Sequence, residues 1–386
     1  MSHDRIGSRV TRVPLAAPGR LGASEREAID TAIARVLENG PWILGAEVVR
    51  FEEEFAQYLG STPDSATSVG PAGEVVGVGN GTDALVVAFT ALGLPAGSGV
   101  LIAANEGGYA ATAARLADLE PVVMDIAEST FAPAAATAQA AWREGVSALV
   151  VTHLHGEATD VAELDAWRQQ RNLRLIEDCA QAHGARHDGR HVGLRGDAAT
   201  FSFYPTKNLG TVGDAGAVLF ADPLHAELAR ALRQYGWRER FSVDIPGGRN
   251  SRIDPLHAAI LSARLAFLDG RNERRRAISA QYRAALAGSA ARIHGDPETT
   301  VAHHAVVVTQ HRDELAAHLA SDGIDTDIHY PHLLQEMPGL GLTAVATPNA
   351  SRARDQILTV PCFPEMTADE VDRVTDSLLR WARDVG

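Results

Sequence analysis

Between residues 74 and 233, short apolar runs alternate with longer amphipathic stretches. The runs at 74–78, 100–103, 121–125, 147–152 and 173–177 are rich in Val, Leu and Ile and too short for helices, which predicts strands. The stretches between them, at 82–92, 109–117, 134–143 and 161–170, predict helices. Short apolar strands separated by amphipathic helices imply a mainly parallel sheet covered by helices, an α/β architecture. Two β-rich runs at 199–204 and 215–220 precede a helix that starts at Pro223.

The rhythm changes near Asp254. Pro255 suits a first helical turn, and one long helical stretch is expected from there to about residue 287, with Gly288 as its stop. A strand at 304–309, a helix at 313–320, a strand near 324–329 and a last helix from about Ala368 follow. The expected organisation is a large sheet domain with an N-terminal arm over 1–255 and a smaller α+β domain over 256–386. The small polar residues of 61–73 predict a surface loop.

Composition removes several classes of function. The 386 residues carry a formal net charge of -14 and no dense Lys/Arg block, so nucleic acid and anionic membranes are poor partners. No apolar run is long enough to span a bilayer, and residues 1–10 lack the apolar centre of a secretory signal. Two cysteines, Cys179 and Cys362, cannot build a disulfide framework, so a reduced, cytoplasmic location is expected. One count is sharper. Lysine occurs once, at Lys207, and every other residue in the Lys+Arg total of 35 is Arg. Most surface sites tolerate Arg for Lys. An amine nucleophile does not, because a guanidinium stays protonated whereas a lysine amine can form a Schiff base.

Three segments carry candidate chemistry. Gly77-Val78-Gly79-Asn80-Gly81-Thr82 leaves a strand and opens a helix, a setting that serves either phosphate binding or a tight turn capped by Asn80 or Thr82. Its glycine spacing departs from the dinucleotide fingerprint. Glu177-Asp178-Cys179-Ala180-Gln181 closes an apolar strand with acids, at the sheet end where ligands of α/β folds bind. A carboxylate there can pair with a cofactor ring nitrogen, with Gln181 near the ring's phenolic oxygen, or it can simply be solvated. Phe201-Ser202-Phe203-Tyr204-Pro205-Thr206-Lys207 delivers a hydroxyl and then the sole lysine into a turn, followed by Gly213-Asp214-Ala215-Gly216.

These motifs keep a common order with several others. They are Asn39-Gly40-Pro41-Trp42-Ile43-Leu44-Gly45, Phe51-Glu52-Glu53-Glu54-Phe55-Ala56, Asn250-Ser251-Arg252-Ile253-Asp254, Gly323-Ile324-Asp325-Thr326-Asp327-Ile328-His329-Tyr330-Pro331 and Pro361-Cys362-Phe363-Pro364-Glu365-Met366-Thr367. Together, over nearly the whole chain, they resemble the DegT/StrS-type sugar aminotransferases, pyridoxal-phosphate enzymes of fold type I. The resemblance implies a large, mainly parallel sheet domain and a smaller C-terminal one. It implies Lys207 as the Schiff-base lysine, Asp178 on the pyridine nitrogen and Gln181 beside the ring. It places Gly81, Thr82 and Ser202 on the phosphate and Tyr109 against the ring face. Asn250 would reach the cofactor of a neighbouring subunit, which implies a homodimer with shared sites.

The implied reaction moves an amino group from an amino acid, L-glutamate by resemblance, to a keto-sugar, with pyridoxamine phosphate between the half-reactions. The acceptor is expected to be a nucleotide-linked keto-deoxysugar, and Tyr109 leans toward a 3-keto sugar. An aminocyclitol aminotransferase, a sugar dehydratase and a non-catalytic regulator of the same fold are the alternatives. A dehydratase would normally carry His in place of Lys207. The chain departs from the family pattern at the 61–73 loop, at His155 for a usual Tyr, at Ala215 for Gly and at His257 for Gln. His153, His155, His303 and His304 lack Cys or carboxylate partners at ligand spacing, so no metal site is expected.

Overall fold

The computed structural model describes residues 12–61 and 72–385. Two helices come first, α1 (Ala23–Asn39) and α2 (Ala46–Gly60). There follow β1 (Glu74–Val78), α3 (Gly81–Ala91), β2 (Gly99–Ala103), α4 (Tyr109–Leu116), β3 (Glu120–Met124), α5 (Ala135–Ala141), β4 (Val146–Thr152), α6 (Ala162–Gln169) and β5 (Arg174–Asp178). A short ribbon of β6 (Arg186–His187) and β7 (Arg190–His191) leads to β8 (Ala198–Ser202), β9 (Gly216–Phe220) and α7 (Pro223–Leu232). The remainder comprises α8 (Pro255–Leu265), α9 (Leu268–Ala285), β10 (Ala291–Ile293), β11 (Ala305–Thr309), α10 (Arg312–Ser321), α11 (Pro348–Gln356), β12 (Ile357–Val360) and α12 (Ala368–Val385).

Seven strands form one sheet in the order β1-β9-β8-β5-β4-β2-β3. β9 is antiparallel to both neighbours, and the other pairs, from β8 to β3, are parallel. The sheet is buried on both faces because its strands are apolar at successive positions. Ile102, Val150 and Ile176 enter the core beneath α3 and α4. Their neighbours Leu101, Leu149 and Leu175 enter the opposite core with Trp167 of α6. Both faces are thus covered, as the α/β pattern requires. A second sheet, β10-β11-β12, packs against α9, α10 and α11 and shares a core with Val374, Leu378 and Trp381 of α12.

Two expectations need correction. The long helix from Pro255 is broken at Ala266 and Phe267 into α8 and α9. α8 packs against α1 and α2, whereas α9 packs against α12 and buries Ile278 and Tyr282 there. The break lets the chain turn between these two surfaces. The run 324–329 alternates like a strand but makes only isolated bridges, Ile324 with Val13 and Asp327 with Thr359. It leaves β12 after one bridge and bends toward the large sheet. The pattern also left α1, α2, β10, α11 and β12 unassigned. Residues 62–71 of the expected surface loop lie outside the described residues. Among the described residues, no helix is long and apolar enough to cross a membrane.

Candidate active site

A cleft of roughly 580 Å³ opens at the carboxyl ends of the central strands, the end where α/β sheets bind ligands. Gly81, Thr82, Tyr109, Asp178, Gln181, Ser202 and Lys207 all line it. Asn250 does not. It is exposed, bridged to Gln234 and outside the cleft of its own chain.

The phosphate-type turn serves both readings of its sequence. Asn80 caps α3, its side chain accepting the Asp83 N–H at 2.8 Å. That cap leaves Gly81 and Thr82 at the helix N-terminus, on the wall of the cleft, where exposed N–H groups and the helix dipole favour an anion. A Cβ built at Gly81 would sit 2.7 Å from Ser202 Cβ and 3.2 Å from its Oγ. Only glycine allows β8 and α3 to approach so closely. Gly216 has a similar role, since a Cβ there would lie 2.3 Å from the Asn80 carbonyl oxygen. β8 holds Ser202 toward the cleft because its neighbours Phe201 and Phe203 point the other way. Both pack edge-on against Phe55 of α2, at 4.9 and 5.6 Å between ring centroids.

The adjacent acids of β5 diverge through the same alternation. Asp178 faces the cleft and accepts one backbone hydrogen bond, from Ala180 N–H at 3.0 Å. Burial raises its pKa, partly offset by the Ala180 N–H bond and the charge of Lys207. Glu177 points into the protein and accepts from Gly193, Arg195 and Gly196 N–H and from His153 Nε2, at 2.7–3.0 Å. Lys207 is half-buried at a turn in which its N–H donates to Tyr204 O at 2.8 Å. Burial pulls its amine down to about 8 against the opposing pull of Asp178. The next residue anchors the turn: Asn208 Nδ2 donates to Asn272 Oδ1 at 2.8 Å and to Val301 O at 3.2 Å.

The C-terminal half completes the site with residues whose roles have no local sequence signature. Tyr330 enters from the bent 324–330 segment, and Gln181 Nε2 donates to its hydroxyl at 2.9 Å. Gln181 Oε1 accepts the His155 N–H at 2.7 Å, so both ends of its amide are fixed. The Tyr109 and Tyr330 rings meet edge to face, 6.1 Å apart. His303, His304 and His329 form another wall, with His304 stacked on His329 at 4.0 Å. Burial holds all three imidazoles below their ordinary pKa, and they are neutral at pH 7. The adjacent histidines just before a strand are the available sequence signal, and their spacing speaks only to metal ligation. His153 bonds Glu177 and His155 bonds the His329 carbonyl, which assigns these two to the scaffold.

A buried carboxylate, an amine within its field, a glycine-lined helix start and a hydroxyl able to donate can together hold a phosphorylated aromatic aldehyde. Pyridoxal phosphate fits this donor set. The sequence profile of the DegT/DnrJ/EryC1/StrS aminotransferase family matches residues 23–379. The chain is 38% identical over 370 residues to the dTDP-3-amino-3,4,6-trideoxy-alpha-D-glucose transaminase of Streptomyces venezuelae, with 93% of each chain covered. The crystal structure of S. venezuelae DesV in complex with a ketimine intermediate superposes with a TM-score of 0.89 at 36% identity, covering 97% of this chain and 100% of that one. NtdA from Bacillus subtilis with bound cofactor PMP gives a TM-score of 0.87 at 26% identity, covering 96% and 85%. Fold, site and relatives agree: the chain belongs to the DegT/DnrJ/EryC1/StrS aminotransferase family.

Proposed function

We propose that this pyridoxal-phosphate aminotransferase moves an amino group from L-glutamate to a nucleotide-linked keto-deoxysugar in aminosugar biosynthesis. The observation that carries the reading is the sole lysine of the chain, half-buried in a cleft with Asp178 and the Gly81–Ser202 cradle. The S. venezuelae transaminase named for a dTDP-linked 3-amino sugar supports the acceptor class. Lys207, the residue a dehydratase of this fold would replace with His, supports amino transfer over dehydration.

The bound cofactor supplies an aldehyde that takes up the donor nitrogen and a ring that accepts electrons. Asp178 would hold the proton on the ring nitrogen, since an anion beside it favours the protonated form. Gly81, Thr82 and Ser202 would hold the phosphate. Gln181, fixed by Tyr330 and His155, would lie at the ring's phenolic oxygen, and Tyr109 would cover one face. Lys207 Nζ would carry the cofactor at rest. With its pKa near 8 it has an appreciable neutral fraction at pH 7, enough to take and return a proton at the donor Cα.

We further propose a cytoplasmic homodimer. The exposure of Asn250, together with the exposed Trp42, Tyr204, Val212 and Phe241, supports a partner that buries them and receives Asn250 at its own cofactor. The proposed division is 1–255 and 256–386, with α8 and α9 forming the seam. The test is transfer of label from L-[15N]glutamate to a dTDP-3-keto-deoxysugar, read by mass spectrometry. Labelled aminosugar is expected. Release of label only to an aminocyclitol acceptor would move the assignment to that class, and no transfer to any keto-sugar would refute it.

A further inference from the structure

Behind the histidine wall lies a second, smaller cavity of roughly 110 Å³. Thr206, His303, His304 and His329 line both it and the main cleft. Its far side is made by Arg275 of α9, Thr359 of β12 and Cys362. Arg275 is 5% exposed. Its Nη1 donates to the carbonyls of His303 and Cys362, while its Nε is buried without a partner. No carboxylate lies within ion-pair reach of Arg275 among the described residues, and none lines the cavity. Burial lowers the guanidinium only to about 10, so it remains a cation at neutral pH.

The field of Glu365, itself paired with Arg271, reaches Arg275, but a buried cation with no carboxylate in contact is costly unless something anionic meets it. The surrounding groups suit an anion. The imidazoles are neutral and carry one N–H each; His303 donates its own from Nδ1 to Asn208 Oδ1, which leaves His304 and His329 as the rings that can offer an N–H to a ligand. His329 Nδ1 pairs with Thr359 Oγ1 at 3.0 Å, and His303 Nδ1 with Asn208 Oδ1 at 2.9 Å. The ring of His304 has no hydrogen-bond partner among the described residues and is held by stacking alone. The cavity volume suits a carboxylate group and excludes a sugar or nucleotide, whose sites need several times that volume.

We infer that this cavity is a carboxylate subsite, in which Arg275, His304 and His329 receive the distal carboxylate of a dicarboxylic amino donor while its amine reaches Lys207. The inference rests on the aminotransferase reading and adds a reason for the donor's chemistry. Charge-assisted hydrogen bonds in a buried site discriminate against a donor lacking that carboxylate by about 10- to 100-fold.

The test compares L-glutamate with L-norvaline, which keeps the chain length and lacks the second carboxylate. Bleaching of the bound cofactor's near-visible band by each amino acid is followed in the loaded protein, and binding of glutarate and butyrate, which carry no amine, is measured by calorimetry. Wild type should favour glutamate by about 10- to 100-fold and bind glutarate in preference to butyrate. Arg275→Met should abolish both preferences, with glutamate losing about 10- to 100-fold more than norvaline. Thr359→Val, which spares the Arg275 carbonyl bonds, should reduce them if Arg275→Met does not fold. Norvaline as effective as glutamate in wild type would overturn the subsite and spare the aminotransferase reading. So would equal losses for the two donors in Arg275→Met, because the cation would then serve the α-carboxylate or the fold. Failure of every amino acid to bleach the band would instead remove the reading on which the inference rests.

Discussion

Replacing Glu177 by Gln should weaken the fold by about 2–4 kcal/mol, whereas Asp178→Asn, one residue on, should spare the fold and disable the chemistry. Glu177 Oε1 accepts from Arg195 N–H at 2.8 Å and Gly196 N–H at 2.7 Å. Its Oε2 accepts from Gly193 N–H at 2.9 Å and His153 Nε2 at 3.0 Å. Because Thr159 N–H donates to His153 Nδ1 at 3.1 Å, the ring proton sits on Nε2, and all four partners are donors. A glutamine carbonyl can serve two of them, and its NH2 then faces the other two. Two buried donors left unpaired cost roughly 1–3 kcal/mol each, part of which local rearrangement recovers. Asp178 accepts from Ala180 N–H and lies beside the Thr200 hydroxyl, both of which an Asn carbonyl oxygen can still satisfy. Asn cannot supply the negative charge at the ring nitrogen, and the half-reaction should slow by about 10²–10³. Urea unfolding and single-turnover bleaching of the cofactor band read the two effects separately. Equal stability of wild type and Glu177→Gln, or normal bleaching by Asp178→Asn, would refute the division of roles. The pH dependence has a definite sign. Burial opposes ionisation of Glu177, but His153 and the backbone N–H groups prevail and its pKa is lowered. Its contribution is therefore present above the ordinary carboxylate range of about 4.3 and lost as pH falls through the depressed value. The gap between wild type and Glu177→Gln should persist at pH 7 and close in acid.

The remaining predictions concern the cleft. Gly81→Ala places a Cβ 2.7 Å from Ser202 Cβ and should weaken cofactor binding by about tenfold in equilibrium dialysis; unchanged affinity would show that the cradle does not need the close approach. Capture of pyridoxal phosphate by the apoprotein should accelerate as pH rises through about 8, where Lys207 loses its proton. Asp178→Asn removes the charge that holds that pKa up, so stopped-flow rates should show the rise at lower pH in the variant. Asn208→Ala unties the lysine turn from Asn272 and Val301 and should cost about 2–3 kcal/mol in urea unfolding; a loss below about 0.5 kcal/mol would show that the turn is held by other contacts.

The central sheet was legible because its strands are apolar on both faces and punctuated by glycine and acid. Period-two alternation also contained the separation of Ser202 from Phe201 and Phe203. It could not say which of Glu177 and Asp178 faces the ligand, because that depends on which core each strand face meets; the resemblance named Asp178. The C-terminal wall was harder to read. Tyr330 and His329 reach the cleft from a segment that breaks its own strand pattern, and Arg275 lies on a helix whose break is set by packing against two different surfaces. None of these has a local periodic signature. Asn208 gave no sequence signal beyond its place beside the lysine, although its amide fixes the turn.

The central claim is that Lys207 binds the cofactor covalently, and the composition of the chain makes this directly measurable. With one lysine, the intact mass after borohydride reduction in pyridoxal phosphate reports attachment at a single side chain. Wild type should gain one cofactor equivalent, Lys207→Arg none, and wild type treated first with L-glutamate should gain none because the nitrogen has already been delivered. Equal incorporation by wild type and Lys207→Arg, or no incorporation by either, would contradict the account.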